Sequence, residues 1–247
     1  MPPGPSTVTD RGRVAYRRVS HTLRYVNTRG YLDTGWYAYV MQGEKLGRQA
    51  RKELTRRLLI DAAAAVFARR GFDAASLDEV ADAAGFTKGA VYSNFRSKTD
   101  LIMALIQRRT AEQAVTAARA MAGATLSEAI ARLESSSQGA APSGLDWLLL
   151  MSEFWHFAMR DETARKALSE QYERARTISA RMIAEKYAEA GTKPPMPPRD
   201  LAILVEAIGI GVGFQAALDP GAVPQTLQGD ATRRLLEPVP DPDTASS

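Results

Sequence analysis

Thr87, Lys88, Gly89, Tyr92, Ser93 and Asn94 lie within eight positions of one another, in the stretch GFTKGAVYSNFRSK at residues 85–98. Together they offer hydrogen-bond donors, acceptors and one cation. Such a mixture suits the phosphate oxygens and base edges of nucleic acid. Phe86, Ala90, Val91 and Phe95 alternate with them as the apolar positions that would anchor the same element to neighbours. Gly89 is costly in a helix by roughly 1 kcal/mol relative to Ala. Close approach of backbone to DNA, or relief of crowding within a bundle, would each account for it.

Catalytic chemistry finds little to work with. The chain has no cysteine, which excludes disulfides, thiolate nucleophiles and Cys-ligated metals and fits a reducing, cytoplasmic compartment. Glu153 and His156 form one Glu-x-x-His pair of the kind that holds metals in helical bundles, but the second histidine is the distant His21. No G-x-S-x-G, H-E-x-x-H or phosphate-binding loop is present. The expectation is no enzyme, no metal and no cofactor.

The elements that must position the 85–98 stretch are legible from apolar spacing. Leu59, Ile60, Ala63, Val66 and Phe67 make an i, i+3/i+4 face on a helix that Gly71 stops. Ser76 and Glu79 form a capping box for a second helix with Leu77, Val80, Ala81 and Ala84 on its buried side. Gly85 supplies the turn, Thr87 caps a short third helix, and Ser97 caps a fourth with Leu101, Ile102, Leu105 and Ile106 as its stripe. Two short helices joined by a tight turn are the arrangement in which the second enters the DNA major groove.

Further helices are expected around Leu126–Leu133 and over about 145–160, 162–190 and 200–218, with a loop at 134–144 and a break at KPPMPP, residues 193–198. No strand pattern stands out, so the fold class is all-α. Neither apolar run, 147–159 or 201–218, reads as a membrane span, because each carries a glutamate and the first is too short. G209-I-G211-V-G213 lies inside a helical pattern and reads as close helix packing, not a dinucleotide fingerprint.

Charge is divided unevenly. Residues 1–110 hold 19 Lys and Arg against 10 Asp and Glu, a net of +9, while residues 111–247 hold 13 against 18, a net of −5. A basic front suits a polyanion. Within 48–110 the net is +5, which favours DNA contact for Arg56, Arg96 and Lys98 over a role as solvated surface charges. Residues 1–46 read as a poorly ordered basic arm. A minor-groove arm is one reading, and a start at Met41 with a misassigned upstream codon is the favoured one.

Residues 55–105, TRRLLIDAAAAVFARRGFDAASLDEVADAAGFTKGAVYSNFRSKTDLIMAL, resemble the tetracycline-repressor (TetR) family of bacterial transcriptional regulators, nearly continuously and in the family's order. The resemblance implies that Thr55 meets phosphate and that Thr87, Lys88 and Gly89 open the recognition helix. Tyr92 then contacts phosphate, and Lys98 reaches the DNA backbone. Asn94 stands where the family often has histidine. The implied organisation is a helix–turn–helix domain at 47–97, an effector-binding and dimerisation domain at 98–235 and a tail at 236–247.

A short reading helix seldom suffices alone, so a homodimer on palindromic double-stranded DNA is expected. Ile178, Met182, Leu204, Ile208 and Gly211 are the interface candidates, and the resemblance implies a four-helix dimer built from the last two long helices. The aromatic-rich segment LDWLLLMSEFWHFAMRD, 145–161, suggests a cavity for a small, largely apolar effector. Its candidates are Met103, Trp147, Met151, Phe154, Trp155 and Phe214, with plain core packing as the alternative role. The rival to an effector-released repressor is a ligand-independent or architectural DNA binder.

Overall fold

The computed structural model describes residues 17–19, 22–24, 47–137 and 144–238. Among the described residues there are nine helices and one small hairpin. The hairpin pairs β1 (Arg17–Val19) antiparallel with β2 (Thr22–Arg24), Val19 opposite Thr22. It lies inside the segment expected to be an unstructured arm; the rest of that segment, Met41 included, is outside the described residues. Two three-residue strands leave the all-α class intact.

The first four helices follow the sequence signals closely. Helix α1 is Arg48–Ala74, and it breaks internally at Gly71, whose φ of 75° only glycine adopts freely. Helix α2, Leu77–Ala84, begins with the full capping box of Ser76 and Glu79 and ends on left-handed Gly85. Helix α3, Lys88–Asn94, is capped by Thr87 Oγ1, which accepts from the Ala90 N–H. Ser97 caps α4, Lys98–Met121, in the same way through the Asp100 N–H.

The back half contains α5 (Leu126–Ser137), α6 (Gly144–Ala158), α7 (Glu162–Ala190), α8 (Pro198–Leu218) and α9 (Leu227–Leu235). The ninth helix was not expected, because LQGDATRRL has no apolar stripe; Gly229 and Thr232 are its buried residues. Leu236, placed in the tail by the sequence reading, is instead buried, and its carbonyl accepts from the Tyr187 hydroxyl.

The boundary expected at residue 97 does not separate two cores. Leu59, Phe67, Val80, Val91, Phe95, Leu101 and Ile102 belong to the same buried cluster as Met151, Phe154 and Leu168 of α6 and α7. A smaller cluster, with Ile130, Ile183, Tyr187, Leu201 and Leu236, closes the far end. Helix α4 runs through the first cluster and out beside α5 and α7, so head and body share a structural beam.

The join is made at the end of α1. Glu153 of α6 accepts a hydrogen bond from the Phe72 N–H. The Phe72 ring packs on Phe154 and Phe157, with centroids 5.1 Å from each. Lys98 at the start of α4 donates to the Asp73 carbonyl at 2.8 Å, and its ammonium sits 4.6 Å from the Phe72 ring centroid. Gly71 is what lets Glu153 approach, since a Cβ there would stand 2.6 Å from Glu153 Oε2.

Gly71→Ala therefore adds both a clash and left-handed strain, and should cost about 1–3 kcal/mol of stability. Glu153→Ala removes one hydrogen bond to a backbone N–H and should cost about 1 kcal/mol. Because Glu153→Ala also removes the clash, the double variant should lose clearly less than the two single losses combined in urea unfolding. Simple additivity would mean that the two residues do not meet as described.

Candidate nucleic-acid interface and effector cavity

The outward face of α3 carries most of the expected DNA-contacting residues. Thr87, Lys88, Gly89 and Ser93 are exposed, and Tyr92 is 55% exposed, far from the usual place of a large aromatic. Val91 and Phe95 are buried beneath them, with Phe86 and Ala90 partly so. The division by face expected from the sequence is present at these positions, whereas Asn94, also expected outward, is half-buried.

Gly89 does not relieve crowding in this chain. A Cβ built there meets nothing closer than Thr87 Oγ1 at 3.9 Å.

Several polar groups in the cluster already have internal partners. Lys88 pairs with Asp78 of α2, and this hydrogen bond, with the attraction of the same carboxylate, raises the pKa of its ammonium. Arg56 donates from Nη1 to the Asn94 carbonyl at 3.1 Å and stacks its guanidinium 4.4 Å from the Phe95 ring centroid. It closes the C-terminal end of α3 and so acts as an anchor of the reading helix. Asn94 is half-buried and folds its amide back onto the Ala90 carbonyl. Thr55 Oγ1 donates to Arg51 of its own helix, and Ser93 Oγ to Ala90, both at 3.0 Å. Lys98 spends its ammonium on the α1 turn. The outward set is thus Thr87, Gly89, Tyr92 and Ser93, the two hydroxyls of Thr87 and Ser93 bonded only within α3, with Lys88 held by one exposed ion pair that is individually weak.

The aromatic-rich helix α6 packs shut. Met103, Met151 and Phe154 are fully built into the main core, and Trp147 and Trp155 are half-buried against it. Arg109 of α4 lies 4.4 Å from the Trp147 ring centroid, and burial lowers its pKa. Phe214 of α8 packs on Trp155 at 6.2 Å. Glu153 is engaged by the α1 turn, and His156 Nε2 lies 2.6 Å from Arg160 Nη1, so the Glu-x-x-His pair is not poised for a metal. Among the described residues no group of three or more metal-ligating side chains gathers.

A cavity of about 170 Å³ opens instead between α4, α7 and α8. Ile106, Thr110 and Gln113 face it from α4, Gln171, Tyr172 and Arg176 from α7, and Ala202 and Glu206 from α8. None of the six residues named as effector-site candidates lines this cavity; those on α6 pack against the main core instead. Trp155 nonetheless supports the cavity, donating from Nε1 to the Tyr172 hydroxyl at 2.7 Å. Across the cavity Arg176 Nε meets Glu206 Oε2 at 3.0 Å, a partly buried pair joining α7 to α8. These polar residues are spread through sequence with no motif spacing, which is why the sequence did not point to them.

The similarity of the chain to known proteins follows this division. Residues 59–105 match the family model for bacterial regulatory proteins of the tetR family, and residues 131–239 match the C-terminal domain of BetI-type transcriptional repressors. The chain belongs to the TetR family. It is 41% identical over 66 residues to the HTH-type transcriptional activator FasR of Mycolicibacterium smegmatis, covering 27% of this chain and 30% of that one. To an HTH-type transcriptional repressor of Mycobacterium tuberculosis it is 32% identical over 111 residues, covering 45% and 50%. The match thus spans half or less of the length of these curated relatives. The reduced form of Escherichia coli NemR shares the fold at 18% identity, with a TM-score of 0.61 over 74% of this chain and 98% of that one. As a TetR-family chain it belongs to a group of transcriptional regulators with an N-terminal DNA-binding helix–turn–helix, not to a group of enzymes.

Tyr172 provides a pH-dependent check on the cavity. Burial pushes its phenol from the usual 10.0 up to about 12, only partly opposed by the Trp155 hydrogen bond. The folded state therefore favours the neutral phenol. Its contribution to stability is complete below pH 10 and should fall as pH rises towards 12. Urea midpoints of the native chain and Tyr172→Phe should converge over that window; parallel lines would place Tyr172 in water.

Proposed function

We propose that this TetR-family chain is a cytoplasmic repressor that binds a palindromic operator as a homodimer and releases it when a small molecule enters the α4–α7–α8 cavity. The observation that carries this reading is the course of α4. Leu101 and Ile102 sit in the core of the DNA-binding head, and Ile106, Thr110 and Gln113 of the same helix line the cavity. Lys98 and Gln113 are separated by about 22 Å along a helix rising about 1.5 Å per residue. A ligand that moves α4 at one end acts on the Phe72 turn at the other, biasing a two-state equilibrium. Repression follows the repressor-type C-terminal match.

The dimer reading rests on α8. By length and composition this helix could cross a membrane, yet it carries Glu206 paired to α7 and a Gly209 backbone close to Gln228 of α9. Only Leu201 and Ala202 are buried within one chain. Leu204 and Ile178 are exposed, Met182, Ile208 and Gly211 half-covered, and Cβ positions at Gly211 and Gly213 meet nothing within 4 Å. An apolar helix face of this extent calls for a protein partner, and a second copy satisfies it with a symmetric patch.

Thr87, Lys88, Gly89 and Ser93 are proposed to read the major groove, with Tyr92 and Thr55 on phosphates. Genome-wide mapping of bound DNA, followed by anisotropy titration on the recovered site, tests the reading. Gly89→Ala should hold or raise thermal stability by up to about 1 kcal/mol while weakening DNA binding. Lys88→Ala and Ser93→Ala should alter base preference, and unchanged preference for both would remove them from the reading set. Leu204→Glu should yield a folded monomer by sedimentation with much weaker operator binding; a dimer that persists would place the interface elsewhere.

A further inference from the structure

The cavity joins two charges that are each only half satisfied. Arg176 and Glu206 meet through a single contact, Nε to Oε2, where a guanidinium and a carboxylate can make two. Among the described residues no protein group hydrogen-bonds the Nη atoms of Arg176 or Oε1 of Glu206. Arg176 also lies 5.4 Å from the Tyr172 ring centroid, which holds the guanidinium beside the phenol. The Tyr172 hydroxyl accepts from Trp155, and among the described residues no acceptor takes its own proton. One end of the cavity therefore presents donors without acceptors, Arg176 and Tyr172. Oε1 of Glu206 is an acceptor without a donor. Ile106, Leu168, Ala175 and Ala202 supply apolar wall around them.

We infer that the ligand of this cavity is a small zwitterion of the amino-acid type, its carboxylate on Arg176 and Tyr172 and its ammonium on Glu206. This rests on the effector reading and gives it a ligand class, a more polar one than the largely apolar effector suggested by α6. The reason is charge balance. A lone carboxylate would join Glu206 and leave an excess negative charge in a partly buried site, and a lone ammonium would leave an excess positive one beside Arg176. Both are unfavourable at a pair that is only 30% and 25% exposed. A zwitterion adds one charge of each sign, and every charge has an opposite neighbour. Size agrees: an apolar cavity of about 150 Å³ holds benzene, so 170 Å³ suits a molecule with a short side chain.

The probes are glycine, alanine, valine and 4-aminobutyrate, with 3-methylbutanoate and 2-methylpropylamine as versions of valine lacking the amine or the carboxylate. Calorimetric titration of the full chain should find saturable binding of at least one zwitterion. When valine is the one that binds, each single-charge analogue should be at least about tenfold weaker, a difference of about 1.4 kcal/mol. Arg176→Gln and Glu206→Gln should each lose at least about tenfold in affinity, with circular dichroism and unliganded melting showing that the variants fold. Binding unaffected in either folded variant would overturn the inference. So would equal binding of 3-methylbutanoate or 2-methylpropylamine, or no binding of any zwitterion. The operator recovered by genome mapping separates the two levels. Release of DNA by an apolar, anionic or cationic compound alone defeats the zwitterion and leaves the effector reading standing. Failure of every class to release it defeats both.

Discussion

The left-handed turn at Gly71 is the constraint on which the rest of the molecule depends. It ends the long first helix at a φ of 75° and turns the Phe72 N–H and ring towards α6. Without that bend the Glu153 carboxylate would have no room, and the aromatic cluster of Phe72, Phe154 and Phe157 would not assemble. The adjacent Asp73 carbonyl is then free for Lys98, which fixes the start of α4. Three helices are registered to one another at a single three-residue turn. The head is therefore held to the body by directional hydrogen bonds as well as by apolar burial, which by itself has no direction.

From that turn outwards the structure divides its polar side chains into those used internally and those left for a partner. Arg56, Asn94 and Lys98 all find acceptors within the chain. The first two set the end of α3, so the reading helix is held firmly although it has only seven residues. Thr87, Gly89, Tyr92 and Ser93 face outward, beside the exposed cation Arg96. Lys88 stands between the two classes, tied to Asp78 in an exposed pair that a phosphate could replace.

The body solves two different burial problems. Around α6, aromatic rings meet at 5.1 to 6.2 Å and pack against the main core. Between α4, α7 and α8, polar and charged side chains keep the helices apart and a cavity results. The outer face of α8 is left uncovered by its own chain, with glycines at 211 and 213 permitting close approach. Aromatic packing, polar cavity and open apolar face are thus laid side by side along α8.

Local features of this protein were determined by the sequence itself. The capping box at Ser76, the turn at Gly85, the caps Thr87 and Ser97, and the apolar stripes of α1 to α4 all act within three or four residues. Their physics is the same in any tertiary setting, so their positions could be read directly. Which polar groups stayed free was decided only by tertiary structure. Arg56 meets Asn94 across 38 residues and Phe72 meets Glu153 across 81, pairings fixed by helix packing and invisible to periodicity. The cavity escaped the sequence for the same reason: aromatic density marks where packing is tight, and a void forms where it is not. Helix α9, held by a buried glycine and threonine on no apolar stripe, exists only because the body provides the surface on which it lies.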